Sequence, residues 1–354
     1  MDFFSTYTLL ALIEESVPAP SFFRDRYFPT GEGDIFASDK VLVEYSKGGQ
    51  KMAAFVDTQV GDIPVGREGY TVTEFEPPRI APSRLLSLDD LNKRGFGEAL
   101  LAGSTPAQRA ARLNQRDLTE LGDMITRSEE WMAVQTMINN ACTIQSMIDG
   151  ATQGQQQYVK YFDSSSDHTY TINPKWDANG GDFFGDVKAM CRMLNKRGLR
   201  AADLVLGTDV ADAILGLSEV RELLNKNSGI IVGQIEEELS QYVGVSYMGT
   251  LNFGGFRLSL ICVDEQYDDG TGTMTNYFPA KSAMVTAPGC GHMVYGQVTQ
   301  IDYGDTEFTS HAGRRIPRFS IDQDKDIRKL RVTARPLAVP MNYCPYIYAA
   351  NAVN

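Results

Sequence analysis

The longest periodic run of apolar positions lies between residues 105 and 140. Leu118, Leu121, Met124, Ile125, Trp131, Met132, Val134, Met137 and Ile138 recur mostly at three- and four-residue spacing, which sets one buried stripe on a helix. Thr105 as N-cap, Pro106 at the first helical position and Gln108 three residues after the cap form a helix-start signature. At about 1.5 Å per residue the helix reaches roughly 50 Å, longer than a compact domain of this size requires.

Upstream the period changes from helix to strand. "KVLVEYS" (40–46), "KMAAFVD" (51–57) and "YTVTEFE" (70–76) read as strands. The last two flank a stretch holding Gly61, Pro64, Gly66 and Gly69, so they are expected to be the arms of a long glycine-tipped hairpin. A two-stranded ribbon is marginal in water unless it lies on something, and the first 100 residues offer no broad apolar surface. "EPPRIAPSR" then stops the pairing, because proline cannot donate to a ladder. Residues 1–40 carry Pro18, Pro20, Pro29, Gly31 and Gly33 with no sustained period, and are expected to be an extended arm.

Downstream, "QYVKYFD" (157–163) and "HTYTIN" (168–173) are expected to pair as a hairpin. A helix capped by Asp182 and closed at Gly198, a strand "DLVLG", helices over 209–217 and 218–225, and strands near 243–247 and 255–263 make an α/β region. "DEQYDDGTGTMTN" (264–276) is a polar connection, and "RKLRVTARPLAVP" and "YIYAA" return to strand. Neither an internal repeat nor a low-complexity tract appears.

Composition narrows the partners. Of 354 residues 43% are hydrophobic and the formal net charge is −12, so the chain is a foldable globular protein without the net basic surface of a dedicated nucleic-acid binder. Five cysteines are scattered through core-like segments, the usage of a reducing compartment. The opening apolar run has Asp2 in place of a basic n-region and is cut short by Glu14 and Glu15. With no apolar stretch of about 18 residues, the chain is expected to be soluble, cytoplasmic and not membrane-bound.

Catalytic chemistry is sparse. Three histidines are present, and no nucleophile elbow, P-loop, zincin or dinucleotide fingerprint occurs. Cys290 and His292 in "GCGH" lack the further ligands a metal needs and read as a tight glycine turn. Glu236 to Glu238, and Asp302, Asp305 and Glu307, read as solvated charge rather than a general acid/base pair. No catalytic residue, metal or cofactor is therefore assigned. The cluster from Arg314 to Arg335 sets eight cations against three acids. Arg314, Arg315 and Arg318 are expected to pair with an acidic surface of another copy.

An arm, a hairpin without a local core and an overlong helix each need a neighbour. Their order resembles the major capsid protein of tailed bacteriophages, in particular the lambda-type family called phage capsid protein E. "FFRDRYFPT" (22–30), "GREGYTVTEFEPPRIAP" (66–82), the helix from Thr105 and the end "RRIPRFSIDQDKDIRKLRVTARPLAVPMNYCPYIYA" carry the resemblance. It implies an α+β Hong Kong 97-type fold. Residues 1–40 would be the N-terminal arm and 41–82 the E-loop hairpin. Residues 83–180 would be a peripheral domain with a spine helix at about 105–140, 181–285 an axial α/β domain, and 286–354 strands returning to the peripheral domain. The function implied is an icosahedral shell of pentamers and hexamers around packaged phage or satellite DNA, held without sequence-specific binding. Homo-oligomers, a separate scaffolding protein, a portal and a decoration protein are the partners implied, with assembly in the host cytoplasm. The E-loop tip, Gly61, Pro64, Gly66, Arg67, Gly69 and Tyr70, would contact a neighbouring subunit; Lys47 and Lys51 sit at the hairpin base, away from that tip, and are not expected to crosslink. The competing readings are an encapsulin-like nanocompartment and an α/β enzyme dimerised by its hairpin.

Overall fold

The computed structural model describes residues 21–38, 40–45, 71–87, 106–147, 153–162, 167–217, 220, 242, 244–268, 272–322 and 327–354. The long helix runs from Pro106 to Asn139, close to its sequence-based bounds. Two different cores receive its two halves. Leu118, Leu121 and Ile125 pack on Phe319, Leu330, Val332 and Ala334. Met132, Ala133, Val134 and Met137 enter the largest cluster, among Phe22, Phe23, Tyr27 and Phe28. Met124 leaves the expected stripe and is exposed.

The arm is the first correction. Phe22–Tyr27 forms a short helix, and Phe22, Phe23, Tyr27 and Phe28 are all fully buried. At roughly 1.5–3 kcal/mol per buried large apolar side chain, four such residues fix the segment in the core. Short length hid it, since six residues give too little period to read. Beyond the helix, the Phe36 N–H donates to the Tyr295 carbonyl at 2.8 Å, which keeps the chain against strand Gly291–Tyr295.

A five-stranded sheet forms the α/β region, in the order Ile347–Ala349, Ala283–Thr286, Asp203–Gly207, Phe256–Val263 and Val245–Phe253. Only the Asp203–Gly207 and Phe256–Val263 neighbours run parallel; the other pairs are antiparallel. Leu204 and Leu206 face helices Phe183–Asn195 and Thr208–Gly216. Val205 faces the cluster that holds the arm helix. Burial on both faces explains the continuous apolar run of "DLVLG". The Asp182 cap is present, its carboxylate accepting from the Gly185 N–H at 2.8 Å. "YIYAA" joins this sheet at its edge rather than the strands near 316–333.

A three-stranded antiparallel sheet, Ile316–Asp322, Ile327–Thr333 and Ser83–Leu86, lies on the first half of the long helix. Thr71–Phe75 pairs with Val41–Tyr45, so the ribbon closes lower than expected from 51–57, which lies outside the described residues together with the tip at 60–70. Gln153–Lys160 pairs with Ala141–Met147, not with 168–173; Thr169 instead bridges Tyr348 in parallel. The cause is the helix end, where Asn140 takes φ 52° and turns the chain at once into a strand. The helix expected over 218–225 is outside the described residues apart from Val220, and the polar connection contains a small ladder, Gln266–Asp268 with Met274–Asn276.

Close packing between the arm and the last strands yields a direct test. A Cβ on Gly291 would overlap the Phe28 ring and lie 2.7 Å from the Val339 carbonyl oxygen, whereas one on Gly33 would meet nothing. Gly291→Ala is expected to lower unfolding free energy by about 1–3 kcal/mol, and Gly33→Ala to change it by less than ~0.5 kcal/mol, in denaturant titrations of the unassembled chain.

Candidate functional site: the buried charge cluster and the assembly surface

Glu129 and Glu130 sit in the long helix and are both buried. Adjacent helical positions point about 100° apart, so the two carboxylates serve different partners. Glu130 faces the N-terminus of the arm helix and accepts from the N–H groups of Phe23 at 2.7 Å and Arg24 at 2.8 Å, and from the Ser21 hydroxyl. A side chain from another helix thereby satisfies the first-turn donors that a local cap would normally take.

Glu129 faces the other way. Arg315 grips it with two bonds, Nη1 to Oε1 at 2.6 Å and Nη2 to Oε2 at 2.8 Å. Arg24 adds a third bond at 3.1 Å and pairs in turn with Asp25 at 2.7 Å. Two cations and two carboxylates balance locally. Burial alone would raise the Glu129 pKa, but Arg315 and then Arg24 outweigh it and hold the carboxyl below its ordinary value. Two residues along the arm helix, Arg26 makes a bidentate pair with Asp203 at 2.7 and 3.1 Å. The Tyr27 hydroxyl donates to the same carboxylate at 3.0 Å. One six-residue helix thus ties the long helix to the central strand of the five-stranded sheet, while Arg315, at the start of the three-stranded sheet, is tied to the long helix. Glu265 completes the set. Burial, then the neighbouring Glu130 carboxylate, push its pKa up to about 9; burial raises Glu130 as well, so the two carboxyls titrate as a pair.

Cysteine and histidine chemistry is not assembled. Cys290 is buried, which pushes its thiol up to about 12, the reverse of a nucleophile's shift. His292 lies 3.0 Å from Asp34, and among the described residues no group of three His, Cys, Asp or Glu side chains is placed to hold a metal ion. Asp302 is bonded to His311 at 2.7 Å, while Asp305 and Glu307 are exposed; Glu236 to Glu238 lie outside the described residues. No described helix is long and apolar enough to cross a membrane.

What this frame belongs to is settled by comparison. The family of phage major capsid protein E matches residues 5–347. The chain belongs to that family. Its fold is similar to the capsid protein of an Escherichia coli CFT073 prophage, described as putative, at TM-score 0.68 and 17% identity over 98% of each chain. It is also similar to a phage-related protein of Bordetella bronchiseptica RB50, at TM-score 0.55 and 10% identity over 99% of this chain and 98% of that one. No curated protein matches the sequence. The mixed α+β architecture of few helices and many strands is that of phage capsid proteins, and the function is that of a shell-forming major capsid protein of the virion.

Within this capsid protein the three arginines expected to reach a neighbour divide. Arg315 is paired with Glu129 of its own chain. Arg314 is exposed and lies over the Tyr295 ring at 5.5 Å. Arg318 stands opposite Arg331 in the three-stranded sheet. The tip residues Gly61, Pro64, Gly66, Arg67, Gly69 and Tyr70 lie outside the described residues. Sequence reading missed Glu129, although a signal was present. Stepping four residues from Ile125 and three to Met132 lands on it, a carboxylate in register with an apolar stripe.

Removing one member of such a cluster leaves charge stranded. Glu129→Ala is expected to cost about 3–5 kcal/mol in denaturant unfolding of the unassembled chain; a change below ~1 kcal/mol would show the cluster to be incidental. The two carboxyls also fix the pH response. Glu129, with its pKa depressed, contributes stability above the ordinary carboxylate range that is lost as pH falls. Glu265, with its pKa raised, contributes stability present below that range and lost as pH climbs toward about 9. Thermal midpoints should therefore fall on the alkaline side, and Glu265→Gln should flatten that limb while leaving the acid limb in place.

Proposed function

We propose that this capsid protein assembles as pentamers and hexamers into an icosahedral shell around packaged DNA. Assembly takes place in the cytoplasm of the bacterial host, with a separate scaffolding protein and a portal as partners. The observation that carries this reading is the family match across residues 5–347. The net charge of −12 agrees with a wall that encloses nucleic acid without gripping it.

The hairpin supplies the reach. Its base, Val41–Tyr45 with Thr71–Phe75, is a two-stranded sheet of its own, with Lys40 and Glu74 paired across it at 3.2 Å. The connecting residues, with Gly61, Pro64, Gly66, Arg67, Gly69 and Tyr70 at the tip, lie on an adjacent subunit and enlarge the contact beyond the standard interface of roughly 1,600 Å². No observation favours the nanocompartment or the enzyme reading.

Deleting residues 60–69 is expected to leave a folded body with unchanged thermal midpoint and to abolish closed particles. Negative-stain electron microscopy of full-length and deleted chains, each expressed alone and with a candidate scaffolding protein, decides it. Normal particles from the deletion would remove the hairpin's assigned role. A uniform small oligomer from the intact chain in both settings would overturn the shell reading.

A further inference from the structure

The inner face of the three-stranded sheet carries Phe319, Leu330 and Val332 onto the long helix. Strand alternation sends Arg318 and Arg331 to the opposite face, where they stand directly across from one another. Like charges in that position repel. Arg331 Nε and one Nη are shielded from water and have no hydrogen-bond partner. Burial, then Arg79 and Arg318, hold its pKa below the ordinary arginine value. Beside them Leu85 is 62% exposed. In a chain with 45 acids and 33 bases, three arginines converge with no carboxylate among the described residues to receive them. Those two nitrogens are closed to any partner, but Arg79 is exposed and Arg318 half-exposed, so the open side of the cluster suits a carboxylate brought by another molecule.

A complementary surface lies elsewhere on the same chain. The turn joining Val298–Ile301 to Phe308–His311 presents Asp305 and Glu307 to solvent, neither of them paired among the described residues. Phe308, next in line, is 76% exposed. Carboxylates beside an exposed aromatic ring match arginines beside an exposed leucine.

We propose that the Asp305–Phe308 turn of one subunit docks on the Arg79, Arg318, Arg331 and Leu85 face of the next. Its carboxylates meet the open side of the arginine cluster at Arg79 and Arg318, and Phe308 covers Leu85. The two patches are different surfaces of one chain, so the contact is head to tail. Such contacts close into rings or extend across a shell. The apolar component distinguishes a protein occupant from a nucleic-acid phosphate, which has no use for Leu85 or Phe308.

This inference rests on the shell reading, and the test separates the two. The intact chain is first shown to form particles by sedimentation velocity and negative-stain microscopy; if it forms none, the shell reading itself fails. Arg318→Glu with Arg331→Glu is then expected to cut the assembled fraction at least tenfold, and Asp305→Lys with Glu307→Lys to do the same. The four changes together are expected to restore assembly to within twofold. Phe308→Ser alone, at a side chain that is 76% exposed, should also reduce assembly while the thermal midpoint of unassembled chain is unchanged. Wild-type assembly by either charge-reversed half, or failure of the fourfold variant to recover while circular dichroism shows it folded, would overturn the proposal. So would arginine-reversed particles of normal yield that retain less DNA, since the arginines would then meet phosphate.

Discussion

Everything in this structure depends on burying two adjacent carboxylates of one helix. An ionised carboxylate taken from water without compensation loses several kcal/mol, so Glu129 and Glu130 are tolerable only with their partners in place. Those partners come from three distant parts of the chain: Ser21 to Arg24 near the start, Arg315 near the end, and Glu265 beyond the central sheet. Unlike apolar packing, which accepts many registers, this arrangement specifies one. The helix can neither slide nor rotate on its two cores without stranding a charge.

That fixity is what an assembling subunit requires. Elements that reach outward transmit the geometry of the body to a neighbour only if the body is rigid. The arm helix is the point of convergence: Arg24 joins it to the long helix, Arg26 and Tyr27 to Asp203, and four aromatic side chains to the core between. The ribbon and the turn after Ile301 spring from this frame and are not part of it. Buried charge and exposed charge thus have separate duties, and the arginines near the end of the chain supply both. Arg315 locks the subunit, while Arg318 faces outward from the adjoining strand.

The long helix, the Asp182-capped helix and "DLVLG" were legible because each carries a period or a cap over enough residues to outweigh local ambiguity. Resemblance in "FFRDRY" and the last strands points to the capsid family from sequence alone. Less was legible where pairing is non-local. Thr71–Phe75 and Gln153–Lys160 pair with Val41–Tyr45 and Ala141–Met147, a choice among strands that alternation alone does not make, and the arm helix is too short for a period. The buried site was half visible. A glutamate in an apolar stripe announces burial, but nothing in the sequence says which of eight late cations answers it. Arg315 and Arg318 are three residues apart and chemically identical; only the strand's alternation and the helix beneath it assign one inward and the other outward.

Native-state hydrogen exchange on the unassembled full-length chain tests the central claim, that Glu129 and Glu130 weld the arm helix to the body. The amides of Phe23 and Arg24, donated to Glu130, are predicted to exchange in the same slow class as Thr126–Val134 of the long helix, opening only when the whole subunit unfolds. Exchange of those two amides on the order of 100-fold faster, with the long helix still protected, would mean that the arm opens on its own. The buried carboxylates would then not be the constraint that the rest of the structure obeys.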